Sequence, residues 1–154
     1  MATLKASVLA ILNDDVALSG IITGGVFDAD SLPNGGLTVA TIAKESNGVT
    51  IQPTGVLRWR ERNPVRGISY AARQFVEIYL YDDPSHGRDN IDYGKRRIWE
   101  LLNKRWVTNT DHERMAYLVW AGDLGELPEG RRDDVLMASM GRSRYLVDLT
   151  RKTT

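Results

Sequence analysis

RQFVEIYLYDDPSHGRDNIDYGKRRIWELLNKRW, residues 73–106, carries the strongest structural pattern in the chain. Over residues 73–81 successive side chains must point to opposite sides of a strand. Val76, Ile78 and Leu80 then share one face, and Phe75, Glu77, Tyr79 and Tyr81 the other. The first face is dry enough for a core under a helix. The second is aromatic and mixed, as expected where a sheet meets another subunit or a wet lumen. A two-faced strand predicts an antiparallel or mixed sheet rather than an all-parallel one. DDPSHGR, residues 82–88, reads as a turn. Asp89 is expected to cap the following helix, with Asp92 in its first turn. On a helical wheel Ile91, Ile98, Trp99, Leu101, Leu102 and Trp106 share one arc, so both tryptophans are expected in the core. Gly94 falls on that arc, where the missing side chain lets the helix approach the sheet. Lys104 and Arg105 suit the helix C-terminus.

Working outward, residues 4–12 place Leu4, Val8, Ile11 and Leu12 at helical spacing, with Thr3 as N-cap and Asn13-Asp14-Asp15 as the stop. IITGGVFDAD, residues 21–30, predicts a short strand with a glycine bend. SLPNGG, residues 31–36, is a turn, and LTVATIA, residues 37–43, is expected to be a strand. KESNG, residues 44–48, is another turn. Residues 44–72 read as a long hairpin or loop whose tip is ordered mainly by a partner; a loop of that length on a compact domain is often functional. Within it Leu57, Trp59 and Glu61 alternate with Arg58, Arg60 and Arg62. Two late strands follow, over residues 115–120 and 144–149. The connection between them, residues 121–134, is polar. No internal repeat or low-complexity tract is present.

The 154 residues predict one domain, 1–154. A chain of this size buries ~70% of its unfolded surface without staples. With no cysteine, disulfides, thiolate metal sites and cysteine nucleophiles are excluded. Twenty basic and twenty acidic residues balance. That weighs against a general nucleic-acid binder, which carries a basic excess, and makes self-association through complementary patches inexpensive. MATLKASVLAILNDD lacks the form of a signal peptide, and no apolar run approaches the ~18 residues of a membrane span.

Candidate chemistry is sparse. Asp82, Asp83, His86, Asp89 and Asp92 could attract a hard cation or, through His86, a transition metal. Their spacing matches no loop of known ligand geometry, and turn and cap chemistry explains them. His112, in the polar stretch TNTDHER, reads as a surface histidine. No serine lies in G-x-S-x-G, and no glycine pair has the context of a phosphate loop. The chain is therefore not expected to be an enzyme, or to hold a metal or cofactor. Arg58, Arg60, Arg62 and Arg66 with Trp59 allow three readings: a solvated hairpin face, a nucleic-acid stripe, or a subunit contact, where Arg and Trp are enriched.

The chain also resembles a known family. LNDDVALSGIITGGVFD, residues 12–28, is similar to the opening of tail-terminator (tail-completion) proteins of long-tailed bacteriophages, through Leu12, Asp14, Leu18, Ile21, Gly24, Gly25, Val26, Phe27 and Asp28. FVEIYLYDD with Gly87 and Asp89, followed by IDYGKRRIWELLN, resembles the family's strand-to-helix unit. The resemblance spans about residues 1–106, and residues 44–72 have no clear counterpart. It implies a virion protein of the tail and neck, assembled in the host cytoplasm. Its partners would be five further copies in a hexameric ring, the tail tube protein and the head-tail stopper or connector, with DNA passing through the lumen unbound. Another neck connector ring is the alternative in the same class. Together, pattern and resemblance predict an α+β fold: a mixed, mainly antiparallel curved sheet, two main helices on one face, and a long hairpin. Arg58, Trp59, Arg60, Arg62, Arg66, Phe75, Tyr79 and Tyr81 are the expected subunit or partner interface.

Overall fold

The computed structural model describes residues 4–32, 36–38, 41–60, 63–64, 71–109, 114–123, 131–133 and 138–151. Helix α1 (Leu4–Asn13) buries Leu4, Val8 and Leu12 of the expected stripe, while Ile11 is half-buried against the same core. Thr3, its expected cap, lies outside the described residues. The helix stops at Asn13, whose carboxamide donates to the Val26 carbonyl at 2.9 Å and accepts from the Val26 N–H at 3.1 Å. Asp15 then starts a second helix, α2 (Val16–Ile21), by accepting from the Leu18 N–H at 2.8 Å. The strand expected over 21–30 is accordingly reduced to β1 (Val26–Asp28). A satisfied N-cap outweighs the strand preference of Ile21 and Ile22.

The remaining elements are β2 (Thr54–Trp59), β3 (Asn63–Pro64), β4 (Ala71–Asp82), α3 (Asp89–Leu102), β5 (Arg105–Asn109), β6 (Arg114–Gly122), β7 (Arg131–Asp133) and β8 (Ala138–Arg151). The fold is α+β. A curled mixed sheet runs β1-β2-β4-β8-β6-β5, with β3 added to β4 and β7 to β8. Among the described residues only β1 and β2 are parallel; every other pairing is antiparallel. The hairpin expected within residues 44–72 is not closed there, because the strand over 54–59 pairs with residues 76–81, beyond that stretch. β2 and β4 pair from Thr54↔Tyr81 to Trp59↔Val76, and β3 continues the ladder at Asn63↔Arg73. Its tip lies outside the described residues, and so do Arg62 and Arg66.

The strand expected over 37–43 is absent from the described part of that stretch. Thr38 and Thr41 hydrogen-bond each other's backbone, and the Ile42 N–H donates to the Thr38 carbonyl at 2.9 Å. Threonine hydroxyls that close on local backbone compete with ladder pairing. KESNG does turn, with Asn47 accepting from the Val49 and Thr50 N–H groups, and Lys44 pairs with Ile51 across it.

One face of the sheet carries the helices. Val76, Ile78 and Leu80 of β4, with Tyr145, Val147 and Leu149 of β8, meet Leu4, Val8, Leu12, Ile91, Ile98 and Leu102 there. Gly94 makes the close approach expected of it. A Cβ at that position would lie 2.9 Å from Ile22 Cδ1 and 3.0 Å from Leu80 Cδ1. Asp89 is not the cap: the N-cap is Arg88, without a side-chain bond, and Asp89 joins Asp92 in the first turn. The two tryptophans are not core residues either, since Trp99 is 45% and Trp106 58% exposed. The helix ends at Leu102 and Lys104 takes a positive φ of 58°. Trp106 thereby leaves the helical wheel and enters β5. Arg105 still serves the helix end, donating to the Leu101 carbonyl at 3.4 Å.

Candidate interaction site

The outer face of the sheet, opposite the helices, has three zones. At one end the chain covers itself. Ala29, Ile42 and Ile51 pack over Val56, Tyr81, Ala138 and Met140 as a second apolar cluster. Tyr81 is only 6% exposed there, which corrects its expected place at an interface. Alternation assigned Tyr81 to the right face of β4, but strand periodicity says nothing of what a distant segment lays over that face.

The middle zone is an ionic belt around Glu77, whose side chain is 2% exposed. Arg60 donates to Glu77 Oε2 at 2.9 Å, the Tyr79 hydroxyl to the same oxygen at 2.8 Å, and Arg144 to Oε1 at 3.1 Å. Burial alone would raise the Glu77 carboxyl; the bonds from Arg60, Tyr79 and Arg144 outweigh it and hold it at about 2. Arg58 lies over the Tyr79 ring, 5.5 Å from its centre, and Arg142 approaches the same ring at 5.8 Å. Arg144 lies over Phe75 at 4.7 Å. Such contacts pin guanidinium planes that would otherwise be floppy.

Beyond the belt the face is open. Register aligns Phe75, Leu146 and Val119 in one row, and Arg73, Asp148, Tyr117 and Trp106 in the next. Phe75, Leu146, Val119 and Tyr117 are half-buried, and Trp106 stacks on Tyr117 with ring centres 4.7 Å apart.

Of the expected interface residues, the structure gathers Arg58, Arg60, Phe75 and Tyr79 on this face. Trp59 points the other way and packs against the main core, its indole N–H without a hydrogen-bond partner among the described residues. Arg142 and Arg144 belong to the belt and were not expected. Their signal was present: R-S-R at 142–144 continues the alternation of Tyr145, Val147 and Leu149. Nothing local says that β8 lies beside β4.

The acidic turn serves a structural purpose. Asp82 is fully buried and accepts from His86 Nδ1 at 2.7 Å, the Asp83 N–H at 2.8 Å and the Asn90 side chain at 3.0 Å. His86 Nε2 meets Glu45 at 3.1 Å, and Asp83 accepts from the Ile51 N–H at 3.1 Å. The turn thus holds residues 45–51 against the end of the sheet. Asp89 and Asp92 are exposed on α3 and take no part in this network. No group of three or more potential metal ligands forms among the described residues, and His112 lies outside them.

His86 lies among Asp82, Glu45 and Asp83, and the hydrogen bond to Asp82 raises its pKa above the usual 6.5. A neutral imidazole has one N–H and can serve only one of its two carboxylates. Stability from this bridge is therefore full below 6.5 and is lost as pH rises through the higher folded value. The thermal midpoint is expected to fall across that window, and the fall should vanish in His86→Gln. An unchanged slope in the variant would assign the pH dependence elsewhere.

No known protein-family model matches this chain, and no curated protein matches it.

Among the described residues no helix is long and apolar enough to cross a membrane. The surface feature that remains is the Arg and aromatic face. At its centre the Glu77 carboxylate is engaged by three donors. Arg and aromatic side chains ordered in this way suit binding.

Proposed function

We propose that this chain is a structural virion protein. It forms a ring, hexameric on the family pattern, that caps the tail tube of a long-tailed phage, ends tube polymerisation and joins the tail to the neck. The observation that carries the reading is a sheet with its α-helices packed on one face and, on the other, an ordered Arg and aromatic belt beside an open apolar strip. Arg and large aromatics are the residue types that dominate protein contacts. The residues behind the tail-terminator resemblance fall at the end of α1, in α2 and β1 for residues 12–28 and in β4 and α3 for residues 75–103, and α2 packs against α3.

A ring needs two different surfaces that meet head to tail. One ring face would then match a tube subunit, and the other would refuse a further one and receive the stopper or connector. DNA crosses the lumen without specific recognition, and the role needs no catalysis. Electron microscopy of the purified protein is expected to show rings, and adding it to growing tubes should block elongation. A protein that stays monomeric at every concentration and fails to bind tube ends would overturn the reading.

A second reading is a small nucleic-acid-binding module, favoured by Arg142 and Arg144 joining Arg58 and Arg60 on one face beside Tyr79. It requires DNA binding that weakens steeply with salt.

A further inference from the structure

Residues 42–51 lie over one end of the outer face. Ile42 and Ile51 press on Val56, Tyr81 and Met140 there, and all five are buried. The stretch is a small hairpin with its own frame. The Glu45 N–H donates to the Thr50 carbonyl at 2.8 Å, the Gln52 N–H donates to the Ala43 carbonyl at 2.9 Å, and Lys44 pairs with Ile51. It can therefore move as one piece. Two polar ties fasten it to the turn that follows β4. The Ile51 N–H donates to Asp83 at 3.1 Å, and Glu45 meets His86 Nε2 at 3.1 Å.

The second tie depends on the charge of His86. Its Nδ1 is 2.7 Å from Asp82 and its Nε2 3.1 Å from Glu45, so both bonds form only when both ring nitrogens carry a proton. When the imidazole is neutral, Asp82 keeps the single N–H, because Asp82 is fully buried while Glu45 is 44% exposed and can turn to water. Nε2 then presents a lone pair to the Glu45 carboxylate, and an attraction becomes a repulsion. The charged groups that face the ring are Asp82 at the end of β4, Asp83 in the turn and Glu45 in the hairpin. Lys44 flanks Glu45, and Arg88 donates to the Met140 carbonyl of β8 at 3.2 Å. All three facing groups are acidic and favour the imidazolium. The tie is therefore full at low pH and is lost as pH rises through the raised folded value of His86.

We propose that residues 42–51 are a pH-gated flap, closed while His86 bridges Asp82 and Glu45 and lifting from the sheet when the imidazole is neutral. Lifting uncovers Val56, Tyr81 and Met140. Tyr81 stacks on Tyr79 with ring centres 6.4 Å apart, so the uncovered patch is continuous with the arginine belt. The flap thereby sets how much apolar area the outer face offers a partner. That consequence rests on the binding reading of the face; the latch itself does not. Ile42 and Ile51 must enter water on lifting, so the open form is a minority at every pH, and pH changes its share.

Hydrogen exchange of the full chain, corrected for the intrinsic pH dependence of exchange, reads that minority. The amides of Glu45, Ile51 and Gln52 are expected to be less protected than those of Ile78 and Val147, which sit in the central strands β4 and β8 and exchange through global unfolding. From pH about 5 to about 9, a span that brackets histidine titration, the flap's protection should fall about tenfold, the worth of one bond to a charged group. His86→Gln and, separately, Glu45→Gln should each flatten the fall. Glu45 is the exposed partner, so its variant carries the test if the histidine variant does not fold. Flap amides as protected as Ile78, a fall that persists in both variants, or no fall at all would overturn the proposal. The chain has no cysteine, so Val56→Cys places a single thiol beneath the flap. At pH about 9 a thiol reagent should modify it faster than the thiol of Val76→Cys, which lies beneath the helices. Equal rates would mean that the hairpin frays without baring the patch, which overturns the uncovering. A pH-gated flap in a chain that forms no rings and binds no tube ends keeps the latch and removes the binding reading alone.

Discussion

Glu77→Ala is expected to lower the unfolding free energy by about 3 kcal/mol. The side chain is 2% exposed and carries a full charge. Removing it leaves Arg60, Arg144 and the Tyr79 hydroxyl without their shared acceptor. The two guanidiniums are 54% and 32% exposed, so water recovers part of the loss and keeps it at the low end for a broken buried pair. Glu77→Gln retains the shape and one acceptor and should cost less. The sign with pH is fixed by the lowered pKa. Stability from this group is present above its ordinary value of 4.5 and is lost as pH falls through about 2. Urea unfolding at neutral and acid pH checks both statements. A loss below ~1 kcal/mol at neutral pH would mean that the belt is screened like a surface pair.

Gly24→Ala is expected to cost about 3 kcal/mol, the upper range for forcing atoms into a packed site. A Cβ there would overlap Thr54 Oγ1 and come within 2.8 Å of the Pro53 carbonyl oxygen. Neither can easily move. The Pro53 carbonyl accepts the Gly24 N–H at 2.7 Å, and Thr54 is fully buried with its hydroxyl bonded to the Gln52 carbonyl. Gly20→Ala is the matched control. It meets nothing within 4 Å and lies inside α2, where alanine is favoured by about 1 kcal/mol. Equal midpoints for the two variants in urea unfolding would refute the steric account. The prediction bears on the proposed function as well, because Gly24 sets how β1 enters the sheet beside β2, the strand that carries Arg58.

The glycine also shows where sequence reading succeeds and where it stops. Gly24-Gly25 was legible as a bend, and Gly25 does take a positive φ of 86°. That Gly24 is needed for a close approach to residues 53–54 was not legible, because its neighbour is 30 positions away. Arg142 and Arg144 tell the same story at longer range. They meet Tyr79 and Glu77 through a β4–β8 register more than sixty residues apart in sequence. Trp106 leaves the helical arc for a local reason: the apolar periodicity continues past Leu102, while Lys104 turns the backbone out of the helix.

Periodicity in the sequence alone determined most of the stripe of α1, the two faces of β4 and the place of Gly94 on the buried arc of α3. Each depends on residues close together in the chain, where backbone geometry dictates which side chains share a face. Only the tertiary structure decided what each face meets. It laid residues 29–51 over Tyr81, turned Trp59 toward the core, and brought four arginines from β2, β8 and the start of the β2–β4 connection around Glu77 and Tyr79. Those outcomes depend on pairings between distant strands, and one face of a strand looks the same in sequence whether its own chain, solvent or a partner covers it.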